Sequence, residues 1–187
     1  MTFHPMSDRS IKPYILILAL IFSVAFLAGS LAPSSTRQQM TDAFRVVADN
    51  YRGLAGGKLF FTILLHNVVA TIFLLISGVV VGIIPTFAIG ANGFFLGVVY
   101  RQTTEMAGYS KAALKVLPHG VFELPALLLA ASYGLWLGVT VVRRIRGKES
   151  TLLRIHIEHA FRRYFALVFP LLIFAAGIET FLILRVQ

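Results

Sequence analysis

The run Leu117-Pro118-His119-Gly120-Val121-Phe122-Glu123-Leu124-Pro125 opens an apolar stretch that ends near Val142. A stretch of that length, about 20 residues or more, suits a bilayer-crossing helix. Pro118 fits the first turn of such a helix, where a missing N–H costs little. His119 and Glu123 are four residues apart, which puts them on one helix face. Ionisable groups at the head of a hydrophobic helix are costly. A buried polar cluster is therefore expected around them.

Composition extends this to the whole chain. Of 187 residues, 57% are hydrophobic and only 13% charged, and the apolar ones gather in runs too long for the core helices of a water-soluble domain. This predicts an all-α polytopic transmembrane bundle, a single domain over residues 1–187. With no Cys there is no disulfide framework, thiolate metal site or cysteine nucleophile. The formal net charge of +9 would suggest nucleic acid in a soluble protein. Here the cations flank apolar segments, so topology and the lipid bilayer account for them, and no nucleic-acid partner is expected.

Five spans are expected, at about 13–32, 59–84, 86–100, 118–142 and 165–184. Arg9 and Lys12 precede the first, and Ala28-Gly29-Ser30 near its end would also suit a signal peptide. Its length favours an uncleaved helix. Ser35-Thr36-Arg37-Gln38 reads as a capping box opening an amphipathic helix over 35–52. Met40, Phe44, Val47 and Tyr51 form its stripe, Arg37, Gln38, Asp42, Arg45, Asp49 and Arg52 lie between, and Gly53, Gly56 and Gly57 end it. Pro85 is read as the break between the second and third spans. The third is short enough that a re-entrant segment stays open. Residues 101–117 read as a polar loop. Gly78/Gly82, Gly93/Gly97 and Gly134/Gly138 are small-xxx-small pairs that allow close helix contact, within the chain or in a homodimer. Residues 143–164 are the most basic stretch, with Leu152 to Tyr164 extending the last helix into water. The positive-inside rule places that stretch and the N-terminus in the cytoplasm and the C-terminus outside.

Alternating span direction brings polar groups from four helices to a similar level: His66, Asn67, Asn92, His119, Glu123 and Glu179. Three readings are open. The groups form hydrogen bonds that pin helices together. Alternatively His66, His119, Glu123 and Glu179 hold a divalent metal such as zinc, iron or manganese, with one Glu as a base in hydrolysis. The third reading is a proton or ion path, against which the apolar inner halves of the spans count. The H-E-x-x-H pattern of zinc proteases is missing. His156 and His159, among Arg154, Arg162 and Arg163, read as a solvated basic face. Arg143, Arg144, Arg146 and Lys148 suit anionic lipid headgroups. No Gly-rich phosphate loop, Ser-centred elbow or aromatic RNA platform is present.

Around these residues the chain resembles the stage II sporulation protein M family of prokaryotic membrane proteins. The resemblance rests on His66-Asn67, on Asn92-Gly93 with Gly97, on Glu179, and above all on Pro118-His119-Gly120-Val121-Phe122-Glu123-Leu124-Pro125-Ala126. It covers about Leu59 to Glu179. It implies a multispanning protein of the prokaryotic cytoplasmic membrane. In spore formers the namesake works in engulfment, as a membrane partner of cell-wall-degrading proteins, but the family also occurs where no spores form. The expected role is a non-enzymatic scaffold or partner of other membrane proteins, with a metal-dependent membrane hydrolase or transporter as the rival.

Overall fold

The computed structural model describes residues 11–49, 53–54 and 56–186; the side chains of residues 44–49, 114–120 and 186 lie outside that description. Arg9, Tyr51 and Arg52 fall outside it altogether. Helices α1 (Lys12–Ser30), α2 (Ser34–Asp49), α3 (Gly56–Ser77) and α4 (Ile83–Ala107) come first. A long helix follows, made of α5 (Tyr109–Pro118), a π turn (His119–Glu123) and α6 (Leu124–Ile145). The last helix is α7 (Leu153–Arg163), a second π turn (Tyr164–Val168) and α8 (Phe169–Val186). Among the described residues there is no strand. Five helices among them are long and apolar enough to cross a membrane: Lys12–Ser30, Gly56–Ser77, Ile83–Ala107, Val121–Ile145 and Leu153–Arg185. The bundle end carrying residues 78–82 and 146–152 is called the basic end below, and the opposite one the far end.

The boundaries differ from expectation at particular prolines and glycines. The second span ends at Ser77, and the chain reverses through residues 78–82, where Gly82 takes φ 72°. Pro85 does not break anything. It is the third residue of α4, in the first turn, where no carbonyl needs its missing N–H. The third span therefore has 25 residues, or about 37 Å of rise, enough to cross. Residues 101–117 are helical rather than a loop. α4 runs on to Ala107, with Arg101 and Glu105 paired one turn apart at 2.8 Å. Gly108, at φ 87°, then reverses the chain into α5. Pro118 thus stands at the end of α5, inside the long helix rather than in its first turn.

Both π turns have one sequence cause. Pro125 and Pro170 each follow their π turn at the same spacing, in His119-Gly120-Val121-Phe122-Glu123-Leu124-Pro125 and Tyr164-Phe165-Ala166-Leu167-Val168-Phe169-Pro170. A proline inside a helix donates no bond and its ring presses on the carbonyl four residues back. Those carbonyls belong to Val121 and Ala166, both within a π turn. Widening the helix by one residue moves the carbonyl aside without breaking the span.

Glycine sets how closely the spans approach. At Gly97 an added Cβ would meet the backbone of Phe26, and at Gly29 that of Phe94. Gly93 stands against the Phe22 carbonyl in the same α1–α4 crossing. At the second crossing Gly134 faces Gly78 and the Leu74 carbonyl, and Gly138 faces Gly78 and Gly82. All three small-xxx-small pairs are thus used in contacts within one chain, Gly78/Gly82 from the reversal between α3 and α4. Side chains fill the rest, with Leu18, Ile89, Leu75, Leu137 and Leu172 fully buried. At the far end Arg37 ties α2 to the bundle: its Nη2 donates to Glu105 at 2.7 Å and its Nη1 to the Ala32 carbonyl at 2.7 Å.

A pair of substitutions separates crossing glycines from incidental ones. Gly97→Ala should destabilise the detergent-solubilised protein by about 1–3 kcal/mol, because its neighbours are backbone that cannot swing away. Gly90→Ala should be neutral or raise the melting temperature. Its Cβ would meet only Ile21 Cγ2, at 3.6 Å, and alanine gains about 1 kcal/mol of helix propensity. Equal melting temperatures for the two variants would contradict the crossing.

Candidate functional site: a polar seam along the last helix

α8 is the common partner of the elements that carry the polar residues. α3 packs along it, and so does the His119–Glu123 π turn. Phe122 of that turn lies with its ring centroid 6.4 Å from Phe174 of α8. Glu179 is five residues further on, about 7.5 Å of rise toward the far end. The fold therefore brings the segments of His119, Glu123 and Glu179 to one region. Both carboxylate residues are partly buried there. The side chains of Pro118, His119 and Gly120 lie outside the described ones.

On α3, Asn67 points into the seam and is 8% exposed. Its Nδ2 and the Thr180 Oγ1 on α8 are buried without a hydrogen-bond partner among the described residues. His66, one position earlier, is exposed. At about 100° per residue it falls at the rim of the α3 surface stripe, next to the face where Leu59 and Ile63 meet Ala176 of α8. Asn92 is exposed on α4, and α4 packs mainly against α1. Asn92 thus does not join the seam. Among the described residues no three His, Cys, Asp or Glu side chains stand close enough to share a metal ion.

A residue not singled out in the sequence does anchor the seam. Tyr164, first in the second π turn, is fully buried. The Thr71 hydroxyl donates to the Asn67 carbonyl at 2.7 Å, which leaves its oxygen to accept from the Tyr164 hydroxyl at 2.8 Å. Tyr164 Oη also reaches the Val68 carbonyl at 3.4 Å. The clue in the sequence is spacing: Tyr164 precedes Pro170 as His119 precedes Pro125.

The face of α7 also differs from expectation. Its outer side is solvated as expected, with Arg154 paired to Glu158 at 2.7 Å. His156, however, is 4% exposed. Its ring lies 5.2 Å from that of Trp136 on α6, and its Nδ1 faces the Leu152 carbonyl at 3.3 Å. His159 lies 5.9 Å from Trp136 and 6.4 Å from Tyr133. The chain's one tryptophan thus docks α7 on α6 through two imidazoles. Histidine on a basic helix looks solvated by composition, and only the partner's aromatic rings reveal the burial.

The hydrogen-bond chain predicts an asymmetry. Thr71→Val leaves the buried Tyr164 hydroxyl with only its long Val68 contact and should cost about 1–3 kcal/mol. Tyr164→Phe leaves Thr71 bonded to Asn67 and should cost about 0.6 kcal/mol, the mean for interhelical bonds in membranes. Unfolding of both variants in detergent checks the order, and the reverse order would overturn the assignment of donor and acceptor.

The family model described as Stage II sporulation protein M matches residues 15–182. Neither a curated protein nor a solved structure matches the chain.

Proposed function

The chain belongs to the stage II sporulation protein M family as a multi-pass integral membrane protein, and we propose that it acts as a non-enzymatic scaffold that binds other membrane proteins. The observation that carries this is the exposure of two polar side chains in mid-span. His66 lies eleven residues from the basic end of α3 and Asn92 nine residues from that of α4, which puts both about 15 Å into the bilayer. An imidazole or amide facing hydrocarbon finds no hydrogen-bond partner, at a cost of several kcal/mol on an alkane scale. Another polypeptide at that depth supplies one. The positive-inside rule sets the orientation: the N-terminus and residues 143–164 cytoplasmic, the C-terminus outside. A second copy of the chain is one partner that would satisfy the exposed groups.

The π turn supports a second reading. Such turns are frequent at functional sites, and this one packs on α8, the helix whose Thr180 hydroxyl, like the Asn67 amide nitrogen on α3, is buried without a hydrogen-bond partner among the described residues. In that reading His66 at the seam's rim, His119, Glu123 and Glu179 hold a divalent metal. The metal would polarise a substrate or bind water for hydrolysis, or be the transported ion.

A photo-crosslinking residue placed at position 66 or 92 tests the scaffold in native membranes. Phe61 on α3 and Phe87 on α4 serve as controls, each exposed (67% and 76%) and about 140° around its helix. Positions 66 and 92 should give discrete protein adducts, and positions 61 and 87 lipid adducts alone. Lipid adducts alone at all four would end the scaffold reading.

A further inference from the structure

α6 ends in a glycine-closed turn that shapes a basic groove. Gly147 takes φ 68°. Its N–H donates to the Arg144 carbonyl at 3.0 Å, and the Lys148 N–H reaches back to the Arg143 carbonyl at 2.8 Å. This double closure satisfies the last carbonyls and folds the chain back on the helix end. Lys148 is thereby set beside Arg143 instead of continuing along the axis. Arg143, Arg146 and Lys148 line one groove of about 420 Å³ together with Val81, Val139 and Val142.

The four cations of the sequence are thus sorted into three and one. Arg144 turns away, and its Nη1 donates to the Thr151 carbonyl at 2.5 Å. Glu149 is the acidic residue nearest this turn, and it is engaged in the loop: its Oε1 accepts the Thr151 N–H at 3.1 Å. Those bonds from Thr151 hold its carboxyl below the usual carboxylate range. The Arg143 guanidinium adds to that lowering, so the carboxylate offsets part of one groove cation and leaves Arg146 and Lys148 in excess.

The groove's apolar side carries an independent mark. Val81 has φ 57°, a left-handed conformation that a β-branched residue adopts only under strain. Strain of this kind collects at ligand clamps and switch regions. Here it holds Val81, 48% exposed, opposite Val139 and Val142 on the groove wall.

We propose that this groove is a binding site for one anionic phospholipid, its phosphate on Arg143, Arg146 and Lys148 and the upper part of an acyl chain against Val81, Val139 and Val142. A free phosphate would use the cations but not the valines. A neutral lipid would use the valines but leave the groove's net positive charge, Arg143 being only partly offset by Glu149, without a counter-charge. The site sits where the apolar part of α6 gives way to its basic end, the depth at which a headgroup meets its chains. The bilayer leaflet on the basic side, the anionic cytoplasmic one by the positive-inside rule, supplies such a lipid.

The test is thermal melting of the full-length protein in neutral detergent, titrated separately with phosphatidylglycerol, phosphatidylcholine of the same chains, and inorganic phosphate. Phosphatidylglycerol should raise the melting temperature by about 3 °C or more at saturation. The other two should leave it within about 1 °C. The shift should vanish in the triple variant R143Q/R146Q/K148Q, fall by at least half in R146Q alone, and persist in R144Q. R146Q decides the matter if the triple variant does not fold. An equal shift from phosphatidylcholine would reduce the groove to generic lipid contact, and one from phosphate would make it a soluble-anion site. Equal losses in R144Q and R146Q would show diffuse surface charge. Each of these three results overturns the proposal.

Discussion

Backbone-to-backbone contact at glycine is the constraint on which the bundle rests. Between helices in a bilayer the apolar side chains gain little by exchanging lipid for protein, so close packing must hold the spans together. Gly29, Gly93 and Gly97 let α1 and α4 meet, while Gly78, Gly82, Gly134 and Gly138 bring the α3–α4 reversal onto α6. These two crossings fix four of the five spans. The fifth is placed by different means, through Tyr164 on Thr71 and the imidazoles of α7 on Trp136. The protein therefore joins a glycine-packed half to a half held by hydrogen bonds and aromatic rings.

The second half is also where the helices are irregular. Two prolines widen the helices carrying α6 and α8, and each π turn packs against the other long helix: His119–Glu123 on α8 and Tyr164–Val168 on α6. A wide turn re-aims the side chains that follow it. This is consistent with the His119–Glu123 segment and Glu179 both lying on the α8 side of the bundle. Asn92, on the glycine-packed side, is left at the surface. The same contrast separates Thr71 and Tyr164, which hydrogen-bond α3 to the last helix, from His66 and Asn92, which lie exposed.

Much of the fold was legible in the chain because its signals are long. Five apolar runs and the basic 143–164 stretch need no partner to be recognised, and the glycine pairs lay where the crossings are. What was misjudged depends on one residue's position within a helix. Pro85 looked like a breaker, but a proline in the first turn is harmless, and Gly82 was the reversal. Pro118 looked like a start, while the reversal lay ten residues earlier at Gly108. The candidate site was legible in part. The His119–Glu123 motif and Glu179 do sit on packed segments, but span counting sets only depth. It says nothing of azimuth, which turns Asn67 inward and His66 out. A histidine among arginines reads as solvated, and a tyrosine before a span as the end of a helix in water, until the partners of His156 and Tyr164 are known.

The central claim is that the polar groups of this protein bind helices, its own and a partner's, rather than a metal. Elemental analysis of the detergent-purified protein, prepared without chelators beside His119→Ala, tests it most directly. The scaffold account predicts well below one zinc, iron or manganese per chain in both. About one metal per chain in the wild type, lost in the variant, would contradict it and establish the His119–Glu123 turn as a metal centre.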